Sequence, residues 1–127
     1  MTFWAILVPG WPGGSLGMTR LFEVNDPRGL TVVLLQSIWR DKIVGTRPWM
    51  ANGWIDRVER AVVRPTYGIY GDSHHKKRAC YYLRIEGKDR YLKVVVEFGA
   101  RYGSVISAYP CDSMKPEERL IWPESKG

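Results

Sequence analysis

Apolar and polar positions in this chain fall into short runs of period two, broken once by a run of period three to four. RLFEV (20–24) and LTVVLLQ (30–36) are rich in β-branched and aromatic residues. They are separated by Asn-Asp-Pro-Arg-Gly at 25–29, where each residue type except the arginine favours a turn. This predicts an opening β-hairpin. SIWRDKIVGTRP (37–48) follows and reads as a short helix, with Ser37 as N-cap and Gly45 and Pro48 as its stop signals. The strongest helix pattern is WMANGWIDRVERAVVRP (49–65). Met50, Trp54, Val58, Ala61 and Val62 recur on one face there, Asp56, Glu59 and Arg60 fall elsewhere, Gly53 weakens the first turn and Pro65 ends the segment.

After the helix the period returns to two. TYGIY (66–70) is short and Gly-interrupted, ACYYLRI (79–85) and RYLKVVVEF (90–98) flank the turn signal Glu-Gly-Lys-Asp, and GSVISAYP (103–110) follows Gly-Ala-Arg-Tyr-Gly. Three consecutive strands joined by short turns predict an antiparallel meander. The tail from 111 is polar, with Leu120, Ile121 and Trp122 as a docking anchor. The expected architecture is α+β: one or two helices packed on a four- to five-stranded antiparallel sheet, preceded by a β-hairpin. Lys93, Ser107 and Tyr109 interrupt otherwise apolar strands. Alternation places Lys93, Val95 and Glu97 on one face, and Ser107 with Tyr109 on one face of the next strand. Register decides whether the two sets meet. The plain alternative is an ordinary solvent-facing side of the sheet.

Composition refines this picture. A chain of 127 residues with 45% hydrophobic content is enough for one domain with one core. Its 19 Lys and Arg against 13 Asp and Glu give a formal charge of +6, which favours a polyanionic partner. The first 17 residues carry no charge. They are expected to form an extension outside the core, and residues 18–127 the domain, with Met18 as an alternative to Met1 for the true start. No apolar run approaches the roughly 18 residues of a membrane span, so no membrane association is expected. Cys80 and Cys111 form no C-x-x-C pair and are expected to be reduced thiols of a cytoplasmic protein, a single disulfide between them being the alternative.

The chain has no G-x-G-x-x-G, Walker, H-E-x-x-H or G-x-S-x-G motif, and no cofactor is expected. Adjacent His74 and His75 rarely aim at one metal ion, so no metal site is expected either. What remains is the basic, hydroxyl-rich stretch DSHHKKRACYYLR (72–84). It reads either as a solvated loop entering a strand or as a phosphate site, with Lys76, Lys77 and Arg78 for charge, Tyr82 for stacking and a histidine that titrates near neutrality. RNA cleavage without a metal needs a base, a cation to stabilise the phosphorane and an acid, and these side chains supply all three.

FEVNDPRGLTVVL, RVERAVVRPTY, RACYYLRIEGKDRYLKVVVEF, GSVISAYP and KPEERLIW occur in that order over residues 22–122. In them the chain resembles the phage BECR-like proteins, a family of the nuclease superfamily that includes barnase, EndoU, the tRNA-cutting colicins and RelE. YLKVVVEF with GSVISAYP is the most specific element. The resemblance implies an RNase-like fold, RNA as partner, and a metal-independent ribonuclease-like activity in a toxin or phage-associated effector. Where relatives carry a Trp-x-x-His-Ile run and an Arg-His-Pro-Glu-Met-like run, this chain has WRDKI and TRPWM. Lys42 and Trp49 stand at positions expected to be histidine and acidic, and Arg47 precedes Pro48. The residues expected to carry catalysis are His75, Lys42, Tyr109 and Ser107, and those expected to hold phosphate or RNA are Arg47, Arg78, Lys93, Lys76, Lys77 and Tyr82. Two alternatives stand beside this one: a non-catalytic RNA-binding protein of the same fold, and a basic protein that docks on an acidic partner such as an antitoxin.

Overall fold

The computed structural model describes residues 19–85, 90–113 and 118–123. The expected N-terminal extension and the Glu-Gly-Lys-Asp turn lie outside the described residues.

The opening hairpin forms as the pattern predicts. β1 (Arg20–Asn25) pairs antiparallel with β2 (Thr31–Leu35). Gly29 takes a positive φ of 87° in the turn, and its amide donates to the Asp26 carbonyl at 2.8 Å. The chain then enters a helical stretch whose centre, Ile38–Val44, is π-helical, with Ile43 buried against the sheet. Ser37 precedes it in helical geometry and makes no side-chain cap. A 3-10 turn (Pro48–Ala51) buries Met50, and α1 (Trp54–Val63) begins after Gly53 at φ 81°. The helix is therefore shorter than its periodic pattern, because Gly53 in a left-handed conformation separates the 3-10 turn from the regular helix. Val58, Ala61 and Val62 face the core, and Pro65 follows the last turn.

β3 (Ile69–Gly71), β4 (Arg78–Arg84), β5 (Tyr91–Phe98) and β6 (Gly103–Cys111) follow, and β7 (Arg119–Trp122) closes the described chain. The meander β4-β5-β6 is antiparallel throughout, as expected. The sheet is larger and more mixed than expected, with seven strands in the order β1-β2-β6-β5-β4-β3-β7. Two additions account for the difference. The hairpin does not stand apart: β2 joins β6 in parallel through Val32↔Gly103 and Val33↔Ser104. The anchor Leu-Ile-Trp is an edge strand, β7, antiparallel to β3. Both pairings are non-local, so no local pattern announced them.

The two faces of the sheet differ. One is aliphatic and packs α1 and the π-helical segment against Val32, Leu34, Leu83, Leu92, Val94, Val96 and Val105. The other is aromatic: of the seven tyrosines, Tyr67, Tyr70, Tyr82, Tyr91 and Tyr109 gather there around Cys80 and Val95. Tyr67 meets Tyr91 edge to face at 4.9 Å, and Tyr70 meets Tyr82 at 5.5 Å.

One polar network crosses the aliphatic face. The Asp26 side chain is fully buried in the hairpin turn. It accepts from the amides of Arg28 (2.8 Å) and Leu30 (3.1 Å), from the Arg28 guanidinium (2.8 Å) and from the Tyr81 hydroxyl of β4 (2.7 Å). Because a buried carboxylate is tolerated only when its oxygens are satisfied, this group ties the hairpin to β4 of the meander. Asp26→Ala should lower unfolding free energy by about 3 kcal/mol, as removal of one member of a buried charged network does. Tyr81→Phe, which removes one bond, should cost only about 1 kcal/mol. Denaturant titration checks both values, and equal small losses would show that the turn does not depend on the network.

Candidate functional site

The register of the meander answers the question raised by the polar residues in β5 and β6. Lys93 lies directly opposite Tyr109 on one side and Tyr82 on the other, and Val95 lies opposite Ser107. The two polar sets therefore share the aromatic face. A β-bulge in β6 between Val105 and Ser107 inserts Ile106, so that Ile106 and Ser107 both line a cleft while Val105 and Ala108 stay in the aliphatic core.

This cleft has a volume of about 400 Å³. β4 contributes Arg78 and Cys80, β5 Lys93 and Val95, and β6 Ile106, Ser107 and Tyr109. The β3–β4 loop adds Asp72, His74 and His75 at the rim, and Glu118 reaches in from just before β7. The loop is held tightly. Asp72 Oδ1 accepts from the amides of His74 (2.8 Å) and His75 (3.3 Å), and the Arg78 amide donates to the His75 carbonyl at 2.9 Å. The His74 amide, followed by that of His75, holds the Asp72 carboxyl below the usual aspartate range.

The floor is a buried ion pair. Lys93 Nζ donates to Glu118 Oε2 at 2.6 Å, with the two side chains 5% and 4% exposed. The Tyr82 hydroxyl donates to the other carboxylate oxygen, Oε1. Lys93 also lies 5.6 Å from the Tyr82 ring centre and 5.9 Å from that of Tyr109. Burial is the largest single influence on Lys93 and opposes its charge, but the Glu118 hydrogen bond and the surrounding groups outweigh it, so its pKa is raised. Burial, and then the bond to Glu118, push the Tyr82 phenol well above its ordinary value. Burial also raises the Cys111 thiol. Cys80 and Cys111 form no disulfide.

Five of the residues marked from sequence meet in this cleft: His75, Arg78, Lys93, Ser107 and Tyr109. Tyr82 lies beneath it, fully buried and bound to Glu118, rather than presenting a stacking face. Arg47 stands beside it, with its guanidinium 5.5 Å from the Tyr109 ring centre. Lys42 is exposed on the π-helical segment and does not line the cleft. Lys76 and Lys77 line a neighbouring groove. Both central cations have carboxylate partners: Arg78 pairs with Glu97 across β4 and β5 at 3.0 Å, and Lys93 with Glu118. Glu118 was the residue missed. It sits in a polar tail, and only the docking of Leu-Ile-Trp as β7 carries it onto the sheet. Among the described residues, no group of three or more histidine, cysteine or acidic side chains is placed to hold a metal ion, and no helix is long and apolar enough to cross a membrane. Comparison of the chain with family models, with curated proteins and with solved structures finds no match.

Removing one partner of the ion pair strands a buried charge. Lys93→Ala and Glu118→Ala should each destabilise by about 3 to 5 kcal/mol, while the double change Lys93→Met with Glu118→Leu should recover most of that loss. A double-mutant cycle in denaturant checks this, and additive losses would show that the two side chains do not act as a pair. Alkaline titration tests this floor together with the Tyr81–Asp26 network. Tyr81, Tyr82 and Lys93 all have folded-state pKa values above their ordinary ones. From about pH 10 upward the unfolded chain therefore releases protons that the folded chain keeps, and stability falls as pH rises. Tyrosinate absorbance should show the buried phenols ionising only together with loss of the folded circular dichroism signal.

Proposed function

We propose that the cleft binds an RNA phosphodiester and cleaves it by acid–base chemistry on side chains, as in a ribonuclease-like domain. The observation that carries this reading is the Lys93–Glu118 pair on the cleft floor. A buried ion pair seldom improves stability over well-packed apolar residues, so its retention favours a role beyond packing. Here the pair, though 5% and 4% exposed, forms the floor of a cleft and not part of the aliphatic core.

In this reading Glu118 accepts the proton of the RNA 2′-hydroxyl as the 2′-oxygen attacks phosphorus. Lys93 and Arg78 face the charge that develops on the phosphorane oxygens. His75 at the rim protonates the departing 5′-oxygen, the P–O5′ bond breaks, and a 2′,3′-cyclic phosphate remains. Tyr109 and Ser107 offer hydroxyl groups to the phosphate or ribose, with Arg47 against the ring of Tyr109. Lys42 takes no part. The resemblance to the BECR nucleases points the same way, and it alone carries the suggestion of a toxin or phage effector. The balanced pairs Arg78–Glu97 and Lys93–Glu118 favour a second reading, in which the same surface binds RNA without turnover.

Incubation with total RNA in the presence of EDTA separates the two. Cleavage leaving cyclic-phosphate ends supports the enzyme, and Glu118→Gln, which keeps the shape of the carboxylate, should then reduce the rate by about 10²-fold or more. His75→Ala, which removes the proposed acid, should reduce it as well. Salt-sensitive binding without cleavage selects the second reading. Absence of both removes RNA and leaves docking on an acidic protein.

A further inference from the structure

Beside the cleft runs a groove of about 360 Å³, between the β1–β2 turn, the β3–β4 loop and the β5–β6 turn. Arg28, Lys76, Lys77, Arg78 and Arg101 line it, and among the described residues no carboxylate does. Two of these cations are already matched, Arg28 by Asp26 and Arg78 by Glu97. No carboxylate among the described residues pairs with Lys76, Lys77 or Arg101. Three unmatched cations brought together from two separate loops repel one another, and the arrangement costs least when an anion lies between them.

The groove also contains aromatic surface. Phe98 and Tyr102 line it, and Tyr102 is 37% exposed with the Arg20 guanidinium 4.9 Å from its ring centre. Cations beside a partly exposed aromatic ring are the pattern that tracks a single strand, with phosphates on charge and an unpaired base on the ring. A duplex keeps its base faces stacked and cannot use Tyr102 in this way. Arg78 lines both the groove and the cleft, so the two lie on either side of one side chain.

We propose that this groove is a subsite for nucleotides flanking the reacting phosphate of a single-stranded RNA. Lys76, Lys77 and Arg101 take its phosphates, and Tyr102 takes a base. The proposal rests on the reading of the cleft as an RNA site and extends that reading to a substrate class: unpaired RNA several nucleotides long, not a dinucleotide or a duplex.

Fluorescence anisotropy on the full chain tests it, with an unpaired oligoribonucleotide of about ten residues, within the range of known single-strand sites. A dinucleotide and a duplex serve as comparisons. The longer single strand should bind more tightly than either. Tyr102→Ala should reduce that advantage on the order of tenfold, while Tyr102→Phe, which keeps the ring, should retain it. The combined change Lys76→Ala, Lys77→Ala and Arg101→Ala should flatten the slope of log affinity against log salt by about 2, at roughly 0.7 for each phosphate that is no longer neutralised. Thermal melts confirm that these exposed-residue variants remain folded. The proposal is overturned if dinucleotide binding or cleavage is present but length brings no gain, if the variants leave the gain and the salt slope intact, or if the duplex binds best. In the first two cases the reading of the cleft survives. A wild-type chain that neither binds nor cleaves RNA of any length overturns both.

Discussion

A lysine ammonium buried in the middle of a sheet has to be answered by a carboxylate, and that requirement organises the C-terminal half of this fold. Lys93 sits on β5 between Tyr82 and Tyr109, with almost no access to water. Its partner Glu118 comes from the stretch leading into β7, so β7 has to dock on β3 for the charge to be matched. Docking in turn needs Gly68. This residue adopts φ 97°, and a β-carbon on it would collide with the carbonyl oxygen of Trp122. A glycine just before β3, two strands from the β5 strand of Lys93, therefore helps to determine whether that lysine has a counter-ion.

The division of labour between the two faces follows from side-chain chemistry. Val, Leu and Ile on the aliphatic face need only be covered, and α1 covers them. Tyrosine on the other face buries a large ring while keeping a hydroxyl for a charged neighbour. Tyr82 does this for Glu118, and Tyr81, pointing the opposite way from the adjacent position, does the same for Asp26. Two consecutive tyrosines in β4 thus serve two buried carboxylates on opposite sides of one sheet.

Local patterns were a good guide wherever the structure is local. The Asn-Asp-Pro-Arg-Gly turn, the apolar stripe ending in Val58, Ala61 and Val62, and the three-strand meander all follow from periodicity and turn chemistry over a few residues. The parallel junction of β2 with β6 did not, because it joins positions roughly seventy residues apart. The π-helical geometry of Ile38–Val44 left no mark that distinguishes it from an ordinary short helix. In the cleft, alternation put Lys93 on one face of β5 and Ser107 with Tyr109 on one face of β6, the register joined the two sets, and the basic loop supplied His75 and Arg78. Glu118 was illegible because its role comes from a strand pairing, and Tyr82 was misjudged as a stacking platform because its neighbour across the sheet was unknown.

The β2–β6 junction also bears on how the chain reaches this state. The β1–β2 hairpin and the β4-β5-β6 meander are each closed by short turns and can form early and separately. Joining them means closing a loop that contains the π-helical segment, α1 and most of the sheet, and that entropic cost precedes any gain from the new pairing. The β2–β6 pairing is therefore expected to form late, with the arrival of β2 alongside Gly103 limiting the rate.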